Sequence, residues 1–127
     1  MPLAFIEAVA DSKRVLIVED NPSMLRILTT FLERAGFDVV AVAEFQRALE
    51  LIEEELFDTL VTDLDLPGGT GLDLVLTASA LRPQMRSVVM TGYSCSAIRK
   101  QVGELSLLGY LEKPFDPDEL VAALEDD

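Results

Sequence analysis

Five short apolar runs, each followed by a stretch of helical periodicity, constrain this chain more than any other feature. The first, Val15-Leu16-Ile17-Val18, lacks polar alternation and is rich in β-branched residues, so it reads as a strand covered on both faces. Asn21 suits a helix cap and Pro22 the first helical position. Leu25, Leu28, Phe31, Leu32 and Ala35 then recur at helical spacing until Gly36. Phe37 to Val42 reads as a second strand, and Ala48, Leu49, Ile52 and Leu56 mark a second helix. Leu60-Val61-Thr62 leads a third strand into Asp63, and Asp65 to Gly71 is a Gly- and Pro-rich loop. Leu72, Val75, Leu76 and Leu81 follow as a helix ending near Arg82-Pro83. Ser87 to Met90 is a fourth strand, Ser96 to Glu104 a more polar helix, and Leu108 to Leu111 a short fifth strand. Asp116-Pro117-Asp118-Glu119 opens a last helix with a cap residue, a proline and acids in its first turn. Strand–helix alternation of this kind predicts an α/β fold, a parallel sheet with helices on both faces.

The chain has 127 residues, which fits one domain, and 50% of them are hydrophobic, enough for a sizeable core. Residues 1–12 precede the alternation and form an N-terminal extension of unknown role; 13–127 form the domain. Acidic residues number 23 against 10 basic ones, for a net charge of −13. That balance argues against direct nucleic-acid binding and against an anionic membrane surface. It suits a basic partner surface, or serves solubility alone. The single cysteine, Cys95, permits no internal disulfide. No histidine is present, which excludes a His-based triad, His metal ligands and a phosphohistidine on this chain. Residues 1–10 are mildly apolar but carry Glu7 and no basic start, unlike a signal peptide, and no run is long enough to span a membrane. The expected location is cytoplasmic. Glu125-Asp126-Asp127 puts acids at a helix C-terminus, against the macrodipole, as at a fraying end or a cut in a longer protein.

In an open α/β sheet, ligands bind beyond the carboxyl ends of the strands. Strand one ends in Glu19 and Asp20, strand three in Asp63, strand four in Thr91 and strand five in Lys113. Clustered carboxylates repel one another unless a cation intervenes. Carboxylate oxygens suit a hard cation, and Mg2+ is usually held by few carboxylates plus water and substrate phosphate. Glu19, Asp20, Thr91 or Lys113 taken singly would read as an ordinary surface or strand-end residue; together they point to a metal site with open positions.

These residues resemble the receiver domains of two-component response regulators, from about Arg14 to Leu124. The resemblance rests on Val15-Leu16-Ile17-Val18-Glu19-Asp20-Asn21, on Thr62-Asp63-Leu64-Asp65-Leu66-Pro67-Gly68-Gly69-Thr70-Gly71, on Val88-Val89-Met90-Thr91-Gly92, and on Gly109-Tyr110-Leu111-Glu112-Lys113-Pro114-Phe115. Each piece is weak alone; all four in order, each at a predicted strand end, are specific. The resemblance implies a flavodoxin-like, doubly wound five-stranded parallel sheet of order 2-1-3-4-5. It implies Asp63 as phosphoacceptor, with Glu19, Asp20, Asp63 and the backbone carbonyl of Asp65 holding Mg2+ or Mn2+. Thr91 would bond a phosphoryl oxygen, Lys113 would pair with the acceptor and then the phosphate, and Tyr110 would change rotamer on activation. The donor would be a phosphohistidine on a sensor histidine kinase or a histidine phosphotransfer protein. The responding surface would be helix four, strand five and helix five, read by an output domain or protein, with homodimerisation left open. Such a chain is a switch and not an enzyme, since it catalyses only its own phosphorylation and dephosphorylation.

The match has departures. Glu19 stands where Asp is commoner, with a longer reach that suggests ligation through water. Gly69 and Thr70 replace the usual apolar and acidic loop residues, Asp65 adds a carboxylate two residues past the acceptor, and Tyr93 puts a ring two residues past Thr91. Tyr93 is expected to limit water access and lengthen the phosphoryl lifetime. Asp63-Leu64-Asp65 also resembles the nucleophile motif of haloacid-dehalogenase-type phosphatases, but there it lies on the first strand of a larger domain. A flavodoxin-like electron carrier is disfavoured because Glu19-Asp20-Asn21-Pro22 would repel phosphate where a phosphate-binding loop is needed. A non-phosphorylated receiver-like docking module is the remaining alternative. Gly68-Gly69-Thr70-Gly71 is not a GxGxxG and lacks a following Lys-Ser/Thr, so it reads as a loop. Cys95 reads as a small packed residue rather than a redox switch.

Overall fold

The computed structural model describes residues 13–125, so the N-terminal extension lies outside the described residues, as do the last two acids. β1 (Arg14–Val18), β2 (Asp38–Val42), β3 (Thr59–Asp63), β4 (Arg86–Thr91) and β5 (Gly109–Glu112) form one parallel sheet in the order β2-β1-β3-β4-β5. The expected order is therefore observed. The helices are α1 (Pro22–Arg34), α2 (Phe45–Glu54), α3 (Gly71–Leu81), α4 (Ser96–Gly103) and α5 (Pro117–Glu125).

Side chains on a strand alternate between faces, and the core divides accordingly. Val15 and Ile17 join Val61, Val88 and Met90 against Leu28 and Leu32 of α1 and Leu120 and Leu124 of α5. Leu16 and Val18 join Leu60 and Val89 against α2 and α3, chiefly Ala48, Leu51, Ile52, Leu74, Val75 and Ala78. Both faces of β1 are thus covered, which is why its sequence is apolar without alternation. The chain leaves β1 towards β2, then returns to β3 on the other side of β1. This reversal opens the sheet's carboxyl edge between β1 and β3.

Helix starts follow the sequence. Asn21 Oδ1 accepts from the Met24 N–H at 3.0 Å, with Pro22 at the first position. Asp116 Oδ1 accepts from the Asp118 N–H at 3.0 Å. Some expectations need correction. Leu56 is not helical: Glu55 turns extended after α2, so Phe57 is buried and Leu56 is left 68% exposed. Phe31, Leu76 and Leu81 are exposed, lying off the faces that carry Leu28 and Leu32 on α1 and Leu74, Val75 and Ala78 on α3. β5 begins one residue later than expected, at Gly109, and β2 one later, at Asp38. The Asp65–Gly71 loop contains a short antiparallel ladder, Asp65–Leu66 against Gly69–Thr70, turning at Gly68, whose φ is +90. Thr70 caps α3, its Oγ1 accepting from the Asp73 N–H at 3.2 Å, and Gly69 lies under the Phe45 ring. Those two departures from the family pattern therefore have local structural causes. Among the described residues, no helix is long and apolar enough to cross a membrane.

Candidate phosphoacceptor site

β1 and β3 are hydrogen-bonded neighbours, with Val18 opposite Thr62, so the residues that follow them meet at the sheet edge. Carboxylate oxygens of Glu19, Asp20 and Asp63 lie within 4.8 Å of one another. Asp63 is 6% exposed and Glu19 1%, while Asp20 faces solvent. Glu19 continues the strand, its N–H bonding to the Val42 carbonyl at 3.1 Å, and its side chain is turned inward.

Lys113 supplies the local countercharge. It leaves the end of β5, its N–H donating to the Thr91 carbonyl at 2.7 Å, and the Lys113–Pro114 peptide is cis. Its Nζ donates to Asp63 Oδ2 at 2.8 Å and to Glu19 Oε1 at 2.5 Å. Glu19 Oε2 also accepts from the Asn21 N–H at 3.0 Å. Burial pushes the Glu19 carboxyl above its ordinary value, and Asp63 adds to this, only partly offset by Lys113 and Asn21. Burial alone would lower the Lys113 ammonium, but its bonds to Asp63 and Glu19 outweigh that and raise it. The longer arm of Glu19 thus folds onto Lys113 at the base of the site.

Asp65 is exposed, and its N–H lies 3.4 Å from Asp63 Oδ1. Its carboxylate is not part of the three-carboxylate cluster. Thr91 is buried, and its Oγ1 donates to the Tyr93 carbonyl at 2.8 Å and accepts from the Tyr93 N–H at 3.0 Å. The Tyr93 ring is 67% exposed. Tyr110 is half-buried on β5, and its hydroxyl meets Ser94 Oγ at 2.7 Å. Ser94 and Arg99, which contacts it, carry no motif that would single them out; only the loop's approach to β5 brings them to Tyr110.

Gly71 anchors the loop after Asp63. Its N–H donates to the Leu64 carbonyl at 2.8 Å, and an added Cβ would lie 2.1 Å from the Asp63 carbonyl oxygen. The donor set, three carboxylates and no sulfur or imidazole, fits a hard divalent cation. Lys113 covers Glu19 and one oxygen of Asp63, while exposed Asp20 keeps a carboxylate on the solvent side.

The fold and this carboxylate–lysine edge define a class of α/β signalling domain. The sequence model of the response regulator receiver domain matches residues 15–125, and the chain belongs to that family. It is 32% identical over 113 residues to the response regulator receiver protein CpdR of Brucella abortus, covering 89% of this chain and 94% of that protein. Other curated relatives are longer: the chain spans 61% of one and 23% of another. A CheY-like receiver domain from Methanospirillum hungatei superposes with a TM-score of 0.86 at 30% identity, covering 91% of this chain and 93% of that one. A Burkholderia pseudomallei response regulator, solved with a phosphorylated aspartic acid, a calcium ion and citrate, superposes with a TM-score of 0.80 at 33% identity, covering 89% of this chain and 66% of that one. Receiver domains are signalling domains of two-component systems that work with histidine kinases and output domains.

Proposed function

We propose that Asp63 accepts a phosphoryl group from a phosphohistidine on a cytoplasmic sensor kinase or histidine phosphotransfer protein. A carboxylate oxygen of Asp63 forms the new O–P bond as the P–N bond to the donor imidazole breaks, its electron pair staying with the imidazole. The observation that carries the reading is the Asp63 carboxylate, nearly buried, with the Lys113 ammonium at 2.8 Å and two further carboxylates within 4.8 Å. Phosphoryl transfer needs mainly alignment and relief of charge. Glu19, Asp20, Asp63 and the Asp65 carbonyl would hold Mg2+ or Mn2+, which when bound supplies charge relief to the phosphoryl oxygens. Glu19 takes part through its contact with Lys113 or through water. Lys113 pairs with the Asp63 carboxylate and then holds a phosphoryl oxygen, to which Thr91 adds its hydroxyl. Tyr110 responds, and the surface of α4, β5 and α5 changes for a downstream domain or protein.

Intact mass after incubation with Mg2+ and acetyl phosphate tests this. One phosphoryl adduct is expected, absent without metal and absent in Asp63→Asn. An adduct persisting in Asp63→Asn would overturn the reading, and sustained phosphate release without an adduct would favour the phosphatase. No adduct from any donor, a cognate phosphohistidine included, would favour a docking module.

Tyr93 lies two residues past Thr91, its backbone held by the Thr91 hydroxyl. Its ring slows water's approach to the aspartyl phosphate in this reading. Tyr93→Ala is expected to shorten the adduct's half-life several-fold, and an unchanged half-life would remove that role.

A further inference from the structure

Thr91 and Tyr110 are joined by hydrogen bonds that run through a residue with no assigned role. The Thr91 hydroxyl fastens the start of the β4–α4 loop by binding both backbone groups of Tyr93. One residue on, Ser94 Oγ lies 2.7 Å from the Tyr110 hydroxyl on β5. Arg99 of α4 donates to the same Oγ at 3.3 Å, and its Nη1 lies 3.8 Å from Glu112 Oε1 on β5. One serine hydroxyl therefore ties the loop, α4 and β5 together.

We propose that Ser94 is a positioning residue that latches the Tyr110 ring in the resting chain, and that the latch depends on the bond from Thr91 to the Tyr93 carbonyl. The trigger rests on the reading given above; the latch does not. A hydroxyl has one proton to donate. Once Thr91 gives that proton to a phosphoryl oxygen, the Tyr93 carbonyl loses its donor and the segment carrying Ser94 loses one of its two fastenings to β4. Ser94 then no longer holds Tyr110, and Arg99 can stay with Glu112. The bland alternative is a bond that forms because the two hydroxyls happen to be close. Both partners are half-buried, however, and Arg99 orients Ser94 from a third element. A single bond of this kind shifts a two-state equilibrium by about two- to tenfold.

The test uses the whole chain with 13C-labelled tyrosine. It has two tyrosines, and Tyr93→Phe assigns the signals of Tyr110. In the unphosphorylated chain, Ser94→Ala is expected to move the Tyr110 ring resonances, and Thr91→Ala to move them in the same direction. Ser94→Thr, which keeps a hydroxyl, leaves them near the parent position. A parallel uniformly 15N-labelled sample of each variant reports through the backbone resonances of β1 and β3 that it is folded. Unmoved Tyr110 resonances in Ser94→Ala would overturn the latch, and opposite movement in Thr91→Ala would overturn its dependence on Thr91. A parent chain that forms no Asp63 adduct would instead defeat the phosphoacceptor reading and its trigger, with Ser94→Ala still deciding the latch.

Discussion

Lys113→Met lowers the stability of the metal-free chain by about 2–3 kcal/mol, because it removes the partner of two buried carboxylates while leaving both charges in place. Thermal unfolding shows this as a fall of about 10 °C in Tm for a chain of this length. The Lys113 side chain is 20% exposed, which keeps the loss below that of a fully buried pair. Adduct formation from acetyl phosphate slows by about a hundredfold, the usual cost of losing one charge-stabilising group at the reacting centre. An unchanged Tm would mean that water screens Glu19 and Asp63 well enough without the ammonium.

The loss also depends on pH, and its sign follows from Glu19. Burial holds that carboxyl above the ordinary 4.5, and the Lys113 hydrogen bond is the largest opposing influence. A carboxyl with a raised folded-state pKa contributes stability that is full below 4.5 and is lost as pH rises through the folded value. Without Lys113 the folded value climbs, so the ionised carboxylate costs more at neutral pH. The Tm gap between parent and variant therefore narrows as pH falls from 7 towards 4.5. Lys113 in the parent has its own window: its contribution is present below 10.5 and is lost as pH rises through its higher folded value. A gap that stays constant between pH 7 and 4.5 would show that Glu19 is not the group responding.

Gly71→Ala destabilises the chain by about 3 kcal/mol, at the upper end for an added methyl group. The new Cβ would sit 2.1 Å from the Asp63 carbonyl oxygen and 3.1 Å from the Leu64 Cα, both rigid backbone atoms at the end of β3. Neither can turn aside as a side chain would, so the β3–α3 connection must move and carry Asp63 with it. The expected results are a Tm lower by about 10 °C and a slower adduct even at temperatures where the variant is folded. Gly103→Ala, at the end of α4 with nothing within 4 Å, serves as the contrast and should be neutral or slightly stabilising. Equal behaviour of the two variants would mean that the loop relaxes freely and that Gly71 is not a packing constraint.

The alternation of apolar runs and helical periods was enough to predict a parallel α/β sheet, because strands covered on both faces lose polar alternation and helices covered on one face keep a stripe. Five polar residues at four strand ends marked the site for a related reason: backbone direction alone puts such ends on one edge. Capping at Asn21 and Asp116 was legible too, since a cap bond spans only two or three residues. What sequence could not decide was the pairing across long separations. That Glu19 turns inward to Lys113, 94 residues away, depends on the spacing of β1 and β5 across the sheet edge. The same holds for Gly71, whose need to be small arises from the returning Asp63 carbonyl, and for Ser94, brought to Tyr110 by the β4–α4 loop. Leu56 and Phe31 show the converse: their spacing suited a buried stripe, but the chain turns extended at Glu55 before reaching Leu56, and Phe31 lies off the face of α1 that carries Leu28 and Leu32. Local pattern thus determined the elements and which residues reach the edge, while tertiary packing decided which of them touch, because contact energies depend on neighbours that no local window contains.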